Sequence, residues 1–384
     1  MQRRCGPGRT EITNISAIAE NFELRGTDYV ADVFGSGHIH DTFLIWSPDD
    51  AAGQRHILQL INRNVFRQPV QLMDNVGRVI RHVGQKLEQR GAGADRCLSL
   101  VRTLQGDDFF VDDSGDYWRM YEYLDGAQTF DVAETTDMAF EAAAAFGRFQ
   151  ELLSDLPPPR LHEVIPDFHD TPRRMQALEN AIREDPVDRA RLCQPEIEFA
   201  RTFGSSADEL LAMQRAGDIP ERVVHNDTKI NNVMFDTDTG KAICVIDLDT
   251  VMPGLVHFDF GDLARTVTPD AGEDERDAGN VEMRLDMFDA LARGYLSSAG
   301  SFLNAAEVGS LHLAGRIITA ETGVRFLTDF LEGDRYFRAD RLYQNLLRCR
   351  NQFALAESMK QQSHAMRDIV AAAANELGLS RPPA

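Results

Sequence analysis

Between Arg222 and Asp249 the chain sets out oxygen and nitrogen groups at spacings that suit phosphoryl transfer. Arg222-Val223-Val224 leads into His225-Asn226-Asp227-Thr228-Lys229-Ile230-Asn231-Asn232, and the apolar run Ala242-Ile243-Cys244-Val245-Ile246 ends on Asp247-Leu248-Asp249. Asp227 and Asn232 are five residues apart, and Asp247 follows fifteen residues after Asn232. An Asp in the first loop can accept the proton of an attacking hydroxyl. An Asn five residues on and an Asp at the end of the next strand can hold Mg²⁺, whose charge offsets that of the phosphates. A hard cation of this kind takes oxygen ligands and keeps water and phosphate oxygens beside one or two side chains. A lone His-x-Asp-x-x-x-x-Asn would fit an ordinary hairpin with polar loop ends. The terminal Asp on the following apolar strand, behind a strand-rich N-terminal segment, favours the catalytic reading.

The elements that must position these groups fall into two halves. From Tyr29 to Ile61 the pattern is strand, Gly-rich turn at Gly35-Ser36-Gly37, strand from Thr42 to Trp46, turn, and strand from His56 to Ile61, an antiparallel meander. Leu72, Met73, Val76, Val79, Ile80, Val83 and Leu87 recur at helical spacing. Two further strand-like runs, Leu98–Leu104 and Tyr117–Leu124, complete a predicted five-stranded sheet with one helix, in which Trp46 and Trp118 pack. After Gly126 the chain turns helical. Phe140–Leu153 is Ala-rich and stops at Pro157-Pro158-Pro159, and two long amphipathic stretches, Ala305–Leu331 and Asp340–Leu377, close the chain. The spacing of Arg316, Glu321 and Arg325 fits an ion-pair ladder on a helix face. The acidic segment Pro269–Gly279 reads as a solvated loop.

Composition narrows the partners. The 384 residues exceed what one compact core accommodates. The formal charge of −21 repels nucleic acid and anionic membrane. No apolar run is long enough to span a bilayer, and Met1–Thr10 lacks the apolar stretch of a secretory signal. The five cysteines include no Cys-x-x-Cys pair, and they read as free thiols of a cytoplasmic protein. The histidines His38, His40, His162 and His169 lie in no zinc-type cluster.

His225-Asn226-Asp227 through Asn232, followed by Ile246-Asp247, resembles the aminoglycoside phosphotransferase and choline kinase superfamily. The longer strings Asn226–Val233 and Val245–Gly254, with Gly35-Ser36-Gly37-His38-Ile39 and Glu321–Asp334, look closer to one branch of it, the N-acetylhexosamine 1-kinases. The resemblance covers roughly residues 27 to 360. It implies an α+β, two-lobed, protein-kinase-like fold: a short extension (1–26), a nucleotide-binding N-lobe (27–124) and a mainly helical C-lobe (125–384) with the catalytic loop, metal and substrate site. It implies transfer of the γ-phosphoryl of ATP, with Mg²⁺, to the anomeric hydroxyl of N-acetylglucosamine or N-acetylgalactosamine. Asp227 would be the base, and Asn232 and Asp247 the metal ligands, with Asp249 a third ligand or a brace for the loop. His38, Asp227, Arg325 and Tyr336 would touch the sugar. Gly35, Ser36, Gly37 and Gln59 would lie at the nucleotide, with the backbone of Glu122, Tyr123 and Leu124 forming the adenine hinge.

Two positions depart from the pattern. Protein kinases hold the ATP phosphates with a strand lysine. Here Gln59 occupies that place, and Lys86 is the sole lysine before Lys229. His40 stands where the branch is expected to carry Asn. An acceptor of another kind (aminoglycoside, choline, homoserine) and a catalytically silent nucleotide-binding protein are the competing readings. A polycationic aminoglycoside calls for several carboxylates around the acceptor, whereas Arg325 and Arg338 favour a neutral sugar.

Overall fold

The computed structural model describes residues 15–35, 39–91, 93–269, 271–275 and 277–379. Two compact units emerge: Met1–Ile80 with Leu98–Asp125, and Arg81–Cys97 with Gly126–Ala384.

In the first unit a short helix α1 (Ile15–Ala19) precedes β1 (Val30–Val33), β2 (Asp41–Trp46), β3 (Arg55–Leu60), the first half of α2 (Pro69–Arg90), β4 (Phe110–Val111) and β5 (Tyr117–Glu122). The five strands form one antiparallel sheet in the order β1-β2-β3-β5-β4. Alternation along the strands decides the faces. Ile45, Leu58, Trp118 and Met120 point one way and pack with Ala19 and Phe22 in a closed apolar cluster. Thr42, Gln59 and Arg119 are cross-strand partners on the other face.

The expected strand from Leu98 to Leu104 is not one. That segment makes two isolated bridges, Leu100 with Tyr121 and Thr103 with Phe22. One edge of β5 is shared: Leu100 takes its upper part, and Phe110 and Val111 pair lower down with Trp118 and Tyr117. Gly115, at φ +78°, closes the β4–β5 turn where a side chain would be strained.

The second unit is mainly helical. β6 (Ala127–Gln128) precedes α3 (Thr136–Leu153), α4 (Thr171–Glu184), α5 (Gln194–Phe203) and α6 (Glu209–Ala216). Then come β7 (Arg222–Val224), β8 (Val233–Asp236), β9 (Ala242–Val245) and β10 (Met252–Gly254), followed by α7 (Val256–Val267), α8 (Leu285–Ala299), α9 (Ala305–Glu332), α10 (Gln344–Gln361) and α11 (Ser363–Glu376). The strands form two small sheets, β10-β7 and β6-β8-β9. Helix α9 is apolar on most sides, as a core helix must be. Leu311, Ile318, Val324, Leu327 and Phe330 are all fully buried. Its start carries a capping box between Asn304 and Glu307, and Gly333 in the left-handed region ends it. A side chain at Gly294 would meet the Phe140 carbonyl at 2.2 Å, so this glycine sets how closely α8 approaches α3.

Three tail expectations change in detail. The stretch from Asp340 to Leu377 is two helices, broken at Gln362, whose Nε2 donates to the Met283 carbonyl at 2.8 Å. The acidic loop is pinned: Glu273 pairs with Arg265 at 2.7 Å and Asp274 with Arg348 at 2.8 Å. The helix-face ladder does not form. Glu321 turns inward to His169 and Thr171, Arg316 bonds Ser206, and Arg325 lies over the Phe168 ring. The described cysteines, Cys97, Cys193, Cys244 and Cys349, are free thiols. Among the described residues no helix is long and apolar enough to cross a membrane.

Candidate active site

The loop after β7 is anchored by apolar side chains at both ends. Val224, Ile230 and Val233 are buried, so the polar residues between them are held over a fixed base. From α7, the wholly buried Asp259 reaches back to this loop. Its Oδ2 accepts from the His225 N–H at 2.8 Å and its Oδ1 from the Asn226 N–H at 2.7 Å. Its own carbonyl accepts from the Thr228 hydroxyl at 2.6 Å. Asn226 takes a left-handed backbone, φ +66°, and its side chain donates to the Thr250 carbonyl at 2.9 Å.

His225 joins the two loops that carry the carboxylates. Its Nδ1 accepts from the Asp227 N–H at 3.3 Å, which leaves Nε2 as the donor to the Ile246 carbonyl at 2.9 Å. Edge-on contacts with Phe146 and Phe149 hold the ring. The Ile246 N–H in turn donates to the Asn232 carbonyl at 2.9 Å. Asp247 follows at φ +58°, an uncommon conformation for a residue with a side chain and one that clusters at functional sites. Asp247 is exposed, whereas Asp249 is buried at 2% exposure.

Asp227 is about a quarter exposed, at 24% of its side chain. Lys229 Nζ lies 3.1 Å from its Oδ1, and Asn232 Nδ2 donates to its Oδ2 at 3.1 Å and to its carbonyl at 2.8 Å. Partial burial pushes the Asp227 carboxyl up, but the charge and hydrogen bond of Lys229 lead the interactions that outweigh it and hold the pKa below the ordinary 3.8. The neighbouring Asp227 charge raises the Lys229 ammonium against the opposing pull of burial. An ionised carboxylate beside a cation results, competent to orient a hydroxyl and accept its proton.

The donor set also suits a hard cation. Asn232 uses its Nδ2 on Asp227, so its amide oxygen is the atom left for a metal, and Asp247 supplies an exposed carboxylate. Among the described residues no group of three or more His, Cys, Asp or Glu side chains could hold a metal unaided. A hard cation held by one or two side chains completes its shell with water and phosphate oxygens.

The other expected site residues fall in separate groups. On α9, the Arg325 guanidinium lies 4.9 Å over Phe168 and 5.5 Å from the Phe337 ring centre. Tyr336 stacks edge-on to Phe337 and is 58% exposed, its N–H held by Asp329 at 2.7 Å. In the first unit Gly35 has φ +74°, and Ser36, Gly37 and His38 lie outside the described residues. Gln59 bonds Arg119 and Thr42, and Glu122 pairs with His56 across the ladder. The Arg55 guanidinium covers Tyr123 at 4.1 Å, and Leu124 follows the end of β5. His40 is buried, stacked on Phe66, and its Nδ1 accepts from the Asn62 N–H at 3.1 Å.

Two residues around the loop after β7, Lys229 and Asp259, are not among the site residues expected from the sequence. Lys229 was legible as a cation two places after the presumed base. Asp259 had a weaker signal, an acid set between Phe258 and Phe260.

Fold and site together define a phosphotransferase of the protein-kinase-like type. A model of the phosphotransferase enzyme family, APH, matches residues 31–293, and the chain belongs to that family. Among solved structures it is similar to an aminoglycoside phosphotransferase from Alicyclobacillus acidocaldarius, with 13% identity over 97% of this chain and 98% of that one at TM-score 0.60. A choline kinase from Cryptosporidium parvum aligns at TM-score 0.52, with 12% identity over 94% and 96% of the two chains. An amicoumacin kinase in complex with AMP-PNP, Ca²⁺ and Ami aligns at TM-score 0.51, with 15% identity over 88% and 87%. Likeness at these identities is likeness of fold.

Proposed function

We propose that the chain is an ATP- and Mg²⁺-dependent sugar 1-kinase. It transfers the γ-phosphoryl group to the anomeric hydroxyl of N-acetylglucosamine or N-acetylgalactosamine. The observation that carries the phosphotransfer reading is the Asp227 carboxylate, bonded to Asn232 and Lys229 and joined through His225 to the loop of Asp247. In this reading residues 27–124 bind the nucleotide and residues 125–384 hold the acceptor and the metal. The AMP-PNP and Ca²⁺ of the amicoumacin kinase complex support a nucleotide with a divalent cation.

Asp227 orients the acceptor hydroxyl and takes its proton as the phosphoryl group moves. Catalysis here is positioning and charge stabilisation more than covalent chemistry. The anomeric hydroxyl is more acidic than the ring hydroxyls, so a carboxylate with a lowered pKa suffices. Asn232 and Asp247 would hold the cation, which supplies charge neutralisation at the phosphates. Asp249, being buried, suits a brace for that loop. Lys229 keeps Asp227 ionised.

Support for the sugar comes from the strings Asp227–Gly254 and Glu321–Asp334 and from the charge around Arg325. The guanidinium of Arg174 is depressed first by burial and then by the charge of Arg325, so two cations share that region. A polycationic acceptor is disfavoured there, and a neutral sugar with oxygens for an Arg fork is favoured. The choline kinase similarity favours the second reading, a different small alcohol as acceptor. Incubation with ATP, Mg²⁺ and each sugar separates the two. Loss of reducing ends in step with ADP release supports the 1-kinase. ADP release with reducing power intact, or only with amines or choline, overturns it.

A further inference from the structure

Asn226 immediately precedes the presumed base and holds φ +66°. A left-handed backbone is disfavoured for a residue with a side chain, though Asn tolerates it better than most. Such a conformation persists only where neighbours over-determine it. On its amide side the constraint is Asp259, at 2.7 Å. On its carbonyl side it is His169, whose Nε2 lies 3.2 Å from the Asn226 oxygen.

His169 is itself held from behind. Its Nδ1 lies 2.8 Å from Glu321 Oε1, and the Thr171 hydroxyl donates to Glu321 Oε2 at 2.6 Å. The Asn226 carbonyl can only accept, so Nε2 is the nitrogen that donates to it. Phe168 and Phe258 pack on it at centroid distances of 4.7 and 4.9 Å. All three polar residues are buried: His169 is 6% exposed, Thr171 2% and Glu321 0%. Burial pushes the Glu321 carboxyl up, and His169, Thr171 and Arg325 outweigh it, so the group stays ionised at neutral pH. A carboxylate so deep in an apolar unit is costly unless fully bonded. One hydrophobic pair would fill the space more cheaply, so the polar arrangement points to a positional task.

Helix α9 gives that task a direction. Glu321 is one turn before Arg325, and the Arg325 guanidinium lies on Phe168, the neighbour of His169. We infer that Glu321 and His169 form a strut that positions the catalytic loop from helix α9, fixing the Asn226–Asp227 peptide so that the base faces the acceptor bound near Arg325. His169 and Glu321 are positioning residues in this scheme and touch neither nucleotide nor acceptor. The inference rests on the reading of Asp227 as the base.

The test compares wild type with Glu321→Gln, His169→Gln and His169→Leu, at a temperature where circular dichroism shows the folded chain. His169→Gln keeps a donor for the Asn226 carbonyl, whereas His169→Leu has none. Glu321→Gln and His169→Leu are expected to lower kcat about tenfold or more, with KM for ATP within about twofold, and His169→Gln to recover part of the loss. A role in stability alone would lower the melting temperature without this split or this recovery. Thr171→Val, which removes one donor from Glu321 at constant volume, gives a smaller drop of the same kind and serves if the other variants do not fold. Wild-type kcat retained in every folded variant overturns the strut while leaving phosphotransfer standing. A wild-type chain that releases no ADP with any acceptor overturns the phosphotransfer reading and the strut with it.

Discussion

The Nε of Arg119 donates to the Oε1 of Gln59 at 3.0 Å across the β5–β3 ladder. Gln59 in turn donates from Nε2 to the Thr42 hydroxyl at 3.2 Å, so its amide has one defined orientation, oxygen towards the guanidinium and NH₂ away from it. Arg119 is 1% exposed. The β3 position expected from the sequence to match the strand lysine of protein kinases therefore holds a neutral amide backed by a buried cation.

Restoring the lysine should harm the protein. Gln59→Lys puts an ammonium against a buried guanidinium and removes an acceptor from it. A cost of roughly 1–3 kcal/mol follows from the lost bond alone, with like-charge repulsion added. Thermal unfolding should show a lower midpoint. An unchanged or raised midpoint would mean that Arg119 does not depend on Gln59. With no lysine on β3, ATP affinity should also fall steeply in chelator, which nucleotide titration with and without Mg²⁺ measures.

Asp227→Asn should cut kcat by about a hundredfold or more while leaving ATP binding largely intact. Lys229 gives a sharper test through pH. The folded Asp227 pKa is held below 3.8 because Lys229 leads the interactions that outweigh burial, so activity that needs the carboxylate is present above the folded pKa and lost as pH falls through it. Lys229→Met removes the largest opposing charge, while Arg265 remains. The acid limb of the rate profile should move to higher pH. A limb that stays in place would sink the claim that Lys229 keeps the base ionised.

The divide between what was and was not legible in the sequence follows the range of the interactions. The strand pattern from Val30 to Leu60 and the helix from Pro69 could be read because periodicity is local. So could Asp227, Asn232 and Asp247, since one hairpin fixes their spacing. The edge of β5 could not be read, because Leu98–Leu104 has strand composition and loses the place to Phe110–Val111 in three dimensions. Glu321 looked like one rung of a surface ladder, yet its partners are 152 and 150 residues away, and no helical spacing encodes them. His169 carried no local signal, since its role depends on a carbonyl supplied by another loop.

Asp247 sits at φ +58° and ψ +60°, directly after the carbonyl that His225 holds. Its conformation is set by the loop, so Asp247→Asn should fold normally and Asp247→Ala at modest cost. Both should lose turnover, with the metal dependence of ATP affinity reduced most in the alanine variant. Titrations at several Mg²⁺ concentrations decide the matter. Metal dependence identical to wild type in Asp247→Ala would transfer the role to Asp249.

Asp259→Asn probes the support beneath the base. The wild-type carboxylate accepts from two backbone N–H groups and from Gln150 Nε2 at 2.6 Å, and Gln150 Oε1 accepts in turn from the Tyr295 hydroxyl. An amide has one oxygen, so the variant sets an NH₂ against at least one of these donors. Leaving a buried donor unsatisfied costs roughly 1–3 kcal/mol. Stability should fall by about that amount, and kcat should fall with it because the loop of Asp227 loses its anchor. The pH dependence adds a signed test. Burial raises the Asp259 pKa above 3.8, against the opposing pull of the bonded N–H groups and Gln150. A raised folded pKa contributes stability that is full below the unfolded value and lost as pH rises through the folded one. The stability of wild type minus that of Asp259→Asn should therefore shrink as pH rises from about 3.8 through that window. Urea midpoints of the two chains along a pH series measure the difference. A difference that grows with pH would mean that the hydrogen bonds outweigh burial and that Asp259 is an ordinary ionised anchor.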